Sequence, residues 1–118
     1  YVPDEDLPAL YSAADVVAYV SIWEGFGLPV LEAMACGAPV VCSRIPAIEE
    51  VAGDAARLVD PRSVEEIAAA LDAVLSSPGE RARLSAAGLV RAARFSWAET
   101  ARRTLELYRD ALGSERGA

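Results

Sequence analysis

Two glutamates flank a glycine-rich turn in the segment 24–32, which reads Glu-Gly-Phe-Gly-Leu-Pro-Val-Leu-Glu. Gly25 and Gly27 have no Cβ, so the backbone there can adopt positive φ angles and approach a ligand closely. Pro29 suits the first turn of a helix, where its missing N–H costs nothing. The free N–H groups at a helix start bind anions, including phosphate groups. The segment therefore predicts an anion site with a carboxylate on each side.

The two carboxylates add hydrogen-bond acceptors to that anion site. Backbone amides can hold a diphosphate, while Glu24 before the turn and Glu32 one turn into the helix can accept hydrogen bonds from sugar and ribose hydroxyls. A nucleotide diphosphate sugar carries both kinds of group. The spacing therefore favours a nucleotide-sugar site. A lone Glu32 is also compatible with a purely structural role, as a charge that stabilises the helix N-terminus.

The composition limits the class of protein. The chain of 118 residues is long enough for one hydrophobic core, and 53% of its residues are hydrophobic, which argues against disorder. The net charge is −7, so we expect no nucleic-acid binding. Every basic residue is arginine, and the absence of histidine removes the commonest general acid–base. The apolar runs are far shorter than the ~20 residues that cross a bilayer.

The two cysteines, Cys36 and Cys42, are too few for a disulfide framework and lie in apolar sequence. We therefore expect buried free thiols and a reducing compartment. This favours a cytoplasmic location, and a peripheral position at the membrane stays open for a longer enzyme.

Hydrophobic patterns predict the elements that position the turn. A continuous apolar run predicts a buried parallel strand at 16–20, and two further short strands are expected at 39–42 and 57–59. A short helix is expected from Leu7, and another over 29–36, ended by Gly37. This alternation predicts an α/β fold with a partial, Rossmann-like parallel sheet and C-terminal helices.

The second half of the chain predicts helices alone. Ser63 and Glu66 form a capping box at the start of one helix, which Ser77-Pro78-Gly79 ends. Another helix is expected from about Glu80 to Arg94, and a last one begins after Ser96. Apolar residues recur in it at helical spacing and form one stripe: Trp97, Ala101, Leu105, Tyr108 and Leu112. We expect the aromatic members of this stripe to be core or docking residues.

The segment 24–41 resembles the signature of retaining glycosyltransferases with the GT-B fold, and more narrowly the family 4 enzymes with a Glu-x7-Glu motif. The likeness extends over about residues 5–112 and includes the segments 7–15, 43–54 and 58–61. It implies two Rossmann-like domains that face each other across a cleft. This chain would supply most of the C-terminal, donor-binding domain.

The resemblance also implies roles for individual residues. Glu24 would contact the hydroxyls of the donor sugar as the catalytic residue, and Glu32 would hold the ribose hydroxyls. The substrate-binding residues would be Glu24, Gly25, Phe26, Gly27, Leu28 and Glu32. The nucleotide diphosphate sugar would be a substrate, so no cofactor and no metal ion are implied. The reaction would transfer the sugar to an acceptor with retention of anomeric configuration.

Three strands are fewer than the five or six that such a sheet usually has. We therefore expect residues 1–112 to form part of a nucleotide-sugar-binding domain, with an N-terminal acceptor domain missing and residues 113–118 as a frayed tail. Uncovered sheet edges and the apolar face of the last helix would favour self-association of the fragment.

Two features depart from the family pattern. The family places an Arg and a Lys upstream of this region to offset the diphosphate charge, whereas Arg44 is the only basic residue before Arg57. Val20 stands where many relatives have proline. We expect the isolated chain to be inactive as an enzyme, because the acceptor domain and the upstream basic residues would be absent from it. A non-catalytic, self-associating α/β module that retains the motif is the alternative, and a sugar epimerase or phosphorylase of the same architecture is a nearer enzyme alternative.

Overall fold

The computed structural model describes residues 1–114, in which three parallel strands alternate with helices and only helices follow. The strands are β1 (Val17–Tyr19), β2 (Val40–Ser43) and β3 (Arg57–Val59). The helices are α1 (Leu7–Ala13), α2 (Leu28–Ala35), α3 (Pro46–Ala52), α4 (Val64–Leu75), α5 (Pro78–Ala92) and α6 (Trp97–Ser114). All three predicted strands are present, so the predicted α/β fold is confirmed.

The sheet has the order β1-β2-β3, with both pairs parallel. Val17 pairs with Val40, and Val41 pairs with Arg57. Helix α2 connects β1 to β2, and α3 connects β2 to β3, as parallel pairing requires. The carboxyl ends of the strands therefore lie at one edge of the sheet.

The central strand β2 is buried at every residue because helices cover both faces of the sheet. Val40 and Cys42 belong to one apolar cluster, together with residues of α2 and α3. Val41 points to the opposite face, into a second cluster with residues of α4 and α5. This two-sided burial explains why the strand is a continuous apolar run.

Helices α2 and α5 approach each other closely at Gly88. A Cβ at this position would lie 3.2 Å from Cγ of Met34, which is fully buried on α2. Leu84, one turn earlier on α5, is also fully buried. The helix that begins at the glycine-rich turn is thus held firmly against the body of the protein.

The helices differ from the prediction in two places. Helix α3 is missing from the prediction because its N-cap is Ile45, which gives no capping signal, although Pro46 occupies its first turn and Ile48 is fully buried. Helix α5 begins at Pro78 rather than Glu80. The Ser77 side chain accepts a hydrogen bond of 3.2 Å from the N–H of Glu80. The segment that ends α4 therefore also caps α5.

The expectation of two buried thiols is confirmed for Cys42 only. Cys42 is fully buried and Cys36 is half-buried, and both are free. Burial raises the pKa of the Cys42 thiol to about 12, so this thiol stays protonated at neutral pH.

Helix α6 extends away from the body of the protein. Trp97 is 79% exposed and Tyr108 is 64% exposed, so these aromatic residues are not core residues, and a docking role for them stays a prediction. The radius of gyration is 17.1 Å, against about 13.5 Å for a compact chain of this length. Residues 113 and 114 of the predicted frayed tail belong to α6, and residues 115–118 lie outside the described residues. No helix of the described part is both long and apolar enough to cross a membrane.

Candidate functional site

The glycine-rich turn lies at the carboxyl edge of the parallel sheet. Glu24 is in the loop between Tyr19, the last residue of β1, and Leu28, the first residue of α2. Glu32 lies on α2, just beyond its first turn. Ligands of open α/β sheets bind in the crevice outside this edge. The fold thus brings both predicted carboxylates and the predicted helix start to the expected place.

Glu24 is half-buried and is held by two hydroxyl groups. The phenol of Tyr19 and the hydroxyl of Ser21 both donate hydrogen bonds to its Oε1 atom, the latter at 3.2 Å. The hydrogen bond to Glu24 is the main cause of the raised pKa of Tyr19, and burial adds to it. Tyr19 therefore stays a protonated donor at neutral pH.

Ser43 anchors this loop to the sheet. It is the last residue of β2 and is fully buried, and its hydroxyl donates a hydrogen bond of 2.6 Å to the carbonyl oxygen of Ser21. A buried hydroxyl needs such a partner. The hydrogen bond fixes the chain after β1 at the end of the neighbouring strand.

Gly27 is the residue that the turn requires. Its φ angle is 97°, it is the N-cap of α2, and a Cβ there would collide with Cδ1 of Ile48. Gly25 is different, since it has no positive φ angle and a Cβ would meet open space. The N–H groups of Gly27 and Leu28 have no acceptor within α2, so this helix start has donors for an anion.

Glu32 is exposed on the surface of α2. Its one hydrogen-bonding neighbour in the described chain is the phenol of Tyr11 on α1, at 3.5 Å from Oε2. This distance is at the limit for a hydrogen bond. The pKa of Tyr11 is raised, first by burial and then by the charge of Glu32. Glu32 is thus less tightly held than Glu24.

Arg44 does not face the turn as a free cation. Its guanidinium forms an ion pair of 2.6 Å with Glu66 and a hydrogen bond of 3.1 Å with the carbonyl of Leu58. The pKa of Glu66 is lowered, chiefly by a hydrogen bond from the N–H of Asp60 and then by Arg44. The only arginine before Arg57 in the sequence is therefore paired with Glu66 and not with the glycine-rich turn.

Phe95 lies against the turn, although sequence reasoning did not place it there. Its ring meets that of Phe26 edge-on, with 6.3 Å between centroids. The guanidinium of Arg91 lies 5.3 Å from the centroid of the Phe95 ring and donates to the carbonyl of Val51 at 2.8 Å. No local pattern signals this contact because the two phenylalanines lie 69 positions apart in the sequence.

A mainly apolar cavity of about 470 Å³ lies between α2 and the junction of α5 and α6. Leu28, Leu31, Phe95 and Trp97 form much of its wall, and Glu32 is its one carboxylate. Within residues 1–114, no group of three or more His, Cys, Asp or Glu side chains is placed to hold a metal ion.

Comparisons with known proteins identify relatives of this chain. The family model described as "Glycosyl transferases group 1" matches residues 1–91. The O-antigen chain mannosyltransferase B of Escherichia coli is 48% identical over 109 residues, which are 92% of this chain and 29% of that enzyme. The chain thus spans less than a third of this relative's length.

Solved structures show the same fold. Sucrose-phosphate synthase from Thermosynechococcus elongatus superposes with a TM-score of 0.83 and 32% identity, over 96% of this chain and 29% of that one. The Anabaena protein HepE in complex with UDP has a TM-score of 0.78 and 26% identity, over 89% of this chain and 30% of that one. These likenesses confirm the predicted α/β architecture as that of GT-B glycosyltransferases. From the match over most of its length, this chain belongs to the glycosyl transferases group 1 family.

Proposed function

We propose that this chain is the donor-binding part of a retaining, metal-independent glycosyltransferase of the family 4 type. The observation that carries this proposal is the placement of Glu24 and Glu32 on either side of the free N–H groups at the start of α2. Glu24 would bind hydroxyls of the donor sugar, and Glu32 those of the ribose. The backbone from Gly25 to Leu28 would hold the sugar and the diphosphate.

The reaction would break the bond between the anomeric carbon and the diphosphate oxygen. A new glycosidic bond would form to an acceptor hydroxyl on the same face of the sugar, the acceptor proton would be lost, and a nucleoside diphosphate would leave. Such transfers pass through an oxocarbenium-like state. Negative charge grows on the leaving diphosphate, where the N–H groups of Gly27 and Leu28 would stabilise it. One preorganised donor of this kind contributes about 2.7–4 kcal/mol in other enzymes.

The relatives support a hexose bound to a nucleotide as the donor. The Escherichia coli relative is named a mannosyltransferase, and the Anabaena relative binds UDP. We therefore include transfer of a hexosyl group in the proposal. Because the free thiols fit a reducing compartment, the proposed location is the cytoplasm.

We also propose that the isolated chain is inactive. Two carboxylates beside a diphosphate repel it, and Arg44 is paired with Glu66 rather than with the site. The balancing cations and the acceptor wall would come from an N-terminal domain. Binding of a donor by the isolated chain would then be weak.

The decisive experiment uses the enzyme that contains this chain. Glu24→Ala and Glu32→Ala should both reduce transfer strongly when UDP-glucose and GDP-mannose are offered as donors. Asp72→Ala, which removes an exposed carboxylate from α4, is the matched control and should leave transfer unchanged. Near-normal turnover in both glutamate variants would overturn the proposal.

A second candidate function is that of a self-associating module, and the exposed stripe of α6 favours it. Leu105, Tyr108 and Leu112 are 47%, 64% and 61% exposed on one face of this helix. A second copy of the chain would cover this face. Light scattering should show dimers or larger species for the isolated chain, and Leu105→Glu should shift them to monomers. A monomer at high concentration would contradict self-association without touching the donor site.

A further inference from the structure

Two hydroxyl groups hold Glu24, and neither belongs to the glycine-rich segment that carries this glutamate. Tyr19 contributes the last side chain of β1, and Ser21 lies in the loop that follows. Both donate to the same carboxylate oxygen, Oε1. Within the described residues, no donor forms a hydrogen bond with Oε2 of Glu24.

The two carboxylate oxygens of Glu24 therefore have different roles. A carboxylate offers about four acceptor directions in total. Two donors on Oε1 occupy that oxygen and fix the rotation of the carboxylate plane. Oε2 is left as the acceptor for an incoming hydroxyl group. The hydrogen bonds from neutral donors also disperse part of the negative charge of Glu24. This would help beside a diphosphate, because Arg44 is paired with Glu66.

Ser21 is held in place by a residue of the central strand β2. The buried hydroxyl of Ser43 at the end of β2 holds the Ser21 carbonyl at 2.6 Å. Tyr19 is itself paired with Cys42 of β2 in the sheet. Both donors to Glu24 are thus fixed by the same central strand, which is buried at every residue. Such outer support is what holds a site side chain in one geometry.

We propose that Tyr19 and Ser21 are positioning residues that orient Oε2 of Glu24 toward a hydroxyl group of the donor sugar. This inference rests on the proposed function, in which Glu24 contacts that sugar. The inference adds that Oε2 alone makes the contact between Glu24 and the sugar, and that β1 and β2 fix the position of this oxygen. The pair therefore acts on the sugar half of the donor, and the nucleotide half is held independently.

The test compares sugar transfer with nucleotide binding in the enzyme that contains this chain. Tyr19→Phe removes only the phenolic oxygen, and Ser21→Ala removes only the hydroxyl. With UDP-glucose and GDP-mannose as donors, Tyr19→Phe should lower kcat/KM about tenfold, as expected for loss of a hydrogen bond to a charged group. The inhibition constants of UDP and GDP should stay within about twofold of those of the unchanged enzyme. Ser21→Ala should lower kcat/KM less, and the double variant should approach Glu24→Gln.

Tyr1→Phe is the matched control, since it removes the same atom from an exposed tyrosine that has no place in the proposed site. It should change neither transfer nor inhibition. If Glu24→Gln reduces transfer but Tyr19→Phe, Ser21→Ala and the double variant do not, the positioning role is overturned and the proposed function stands. If Tyr19→Phe weakens UDP or GDP inhibition as much as transfer, the residue acts on the whole fold and the inference also fails. If Glu24→Gln itself has no effect, the sugar contact proposed for Glu24 is wrong.

Discussion

The two carboxylates of the glycine-rich segment are held in different ways. Glu24 is half-buried and accepts hydrogen bonds from Tyr19 and Ser21, whose backbones are tied to β2. Glu32 is exposed on α2 and has only the phenol of Tyr11 at 3.5 Å. The motif therefore combines one fixed acceptor with one that can adjust. A fixed acceptor suits the group next to the reacting carbon, where small displacements cost rate. An adjustable acceptor suffices for a group that only anchors the substrate.

The largest expected effect is a difference in catalysis between the two glutamates. In the enzyme that contains this chain, Glu24→Gln should lower kcat by about 10²–10³, because an interaction with the transition state is lost. Glu32→Gln should act mainly on the KM of the donor, because it would remove an anchoring contact. Steady-state kinetics with UDP-glucose and GDP-mannose measure both. If Glu32→Gln lowers kcat as much as Glu24→Gln does, the proposed difference in role between the two glutamates is wrong.

The next effect concerns the turn that separates the two carboxylates. Gly27→Ala should lower the free energy of unfolding by about 2–4 kcal/mol, because a φ of 97° and the contact with Ile48 both oppose a side chain. Urea unfolding of the isolated chain measures this loss. Gly25→Ala is the matched control, with open space and no positive φ, and should change stability by less than about 1 kcal/mol. Equal losses at the two glycines would contradict the structure of the turn.

A smaller effect is expected on the pKa values of Tyr19 and Tyr11 when their glutamate partners are replaced. The pKa of Tyr19 is raised chiefly by its hydrogen bond to Glu24, whereas the pKa of Tyr11 is raised chiefly by burial. Glu24→Gln should therefore bring the pKa of Tyr19 back toward 10.0, and Glu32→Gln should move that of Tyr11 less. Carbon-13 labels at the tyrosine Cζ atoms follow both phenols in one pH series.

The sign of the effect on stability follows from the raised pKa of Tyr19. The folded state holds this proton more tightly than the unfolded state, so the contribution is fully present below pH 10 and is lost as the pH rises through the folded pKa. Glu24→Gln should make the loss of stability above pH 10 less steep. An unchanged Tyr19 titration in this variant would show that the hydrogen bond is absent in solution.

The smallest effect is expected at Tyr11. Tyr11→Phe removes a phenol that is at the limit of hydrogen-bond distance from Glu32. In the enzyme that contains this chain, donor KM and kcat should both stay within about twofold, since an exposed contact of this kind contributes little. A loss as large as that of Tyr19→Phe would show that Glu32 is also held in place.

Local signals explain which parts could be predicted from the sequence. The apolar run that became β2, the capping serine of α4 and the glycine-rich helix start each depend on neighbouring residues alone. Helix α3 is not predicted because its N-cap is Ile45, which carries no capping side chain, whereas α1 of the same length follows an acidic segment. The hydrogen bonds to Glu24 were missed because they depend on where the chain turns after β1. The contact between Phe26 and Phe95 depends on packing across the whole fold, which no local pattern contains.

The exposure of helix α6 affects which part of the protein unfolds first. The last buried residue of the described chain is Ala92, and every described side chain from residue 101 to 113 is exposed. An 18-residue helix without packing is marginally stable in water. The ion pairs of Glu99 with Arg102 and Arg103 are exposed and screened by solvent, so they add little to its stability. Amide hydrogens of α6 should therefore exchange with solvent through local fraying, whereas those of α2 should exchange only through global unfolding. We therefore expect two cooperative units in this chain, with the boundary between them at Phe95, whose ring contacts that of Phe26 in the turn.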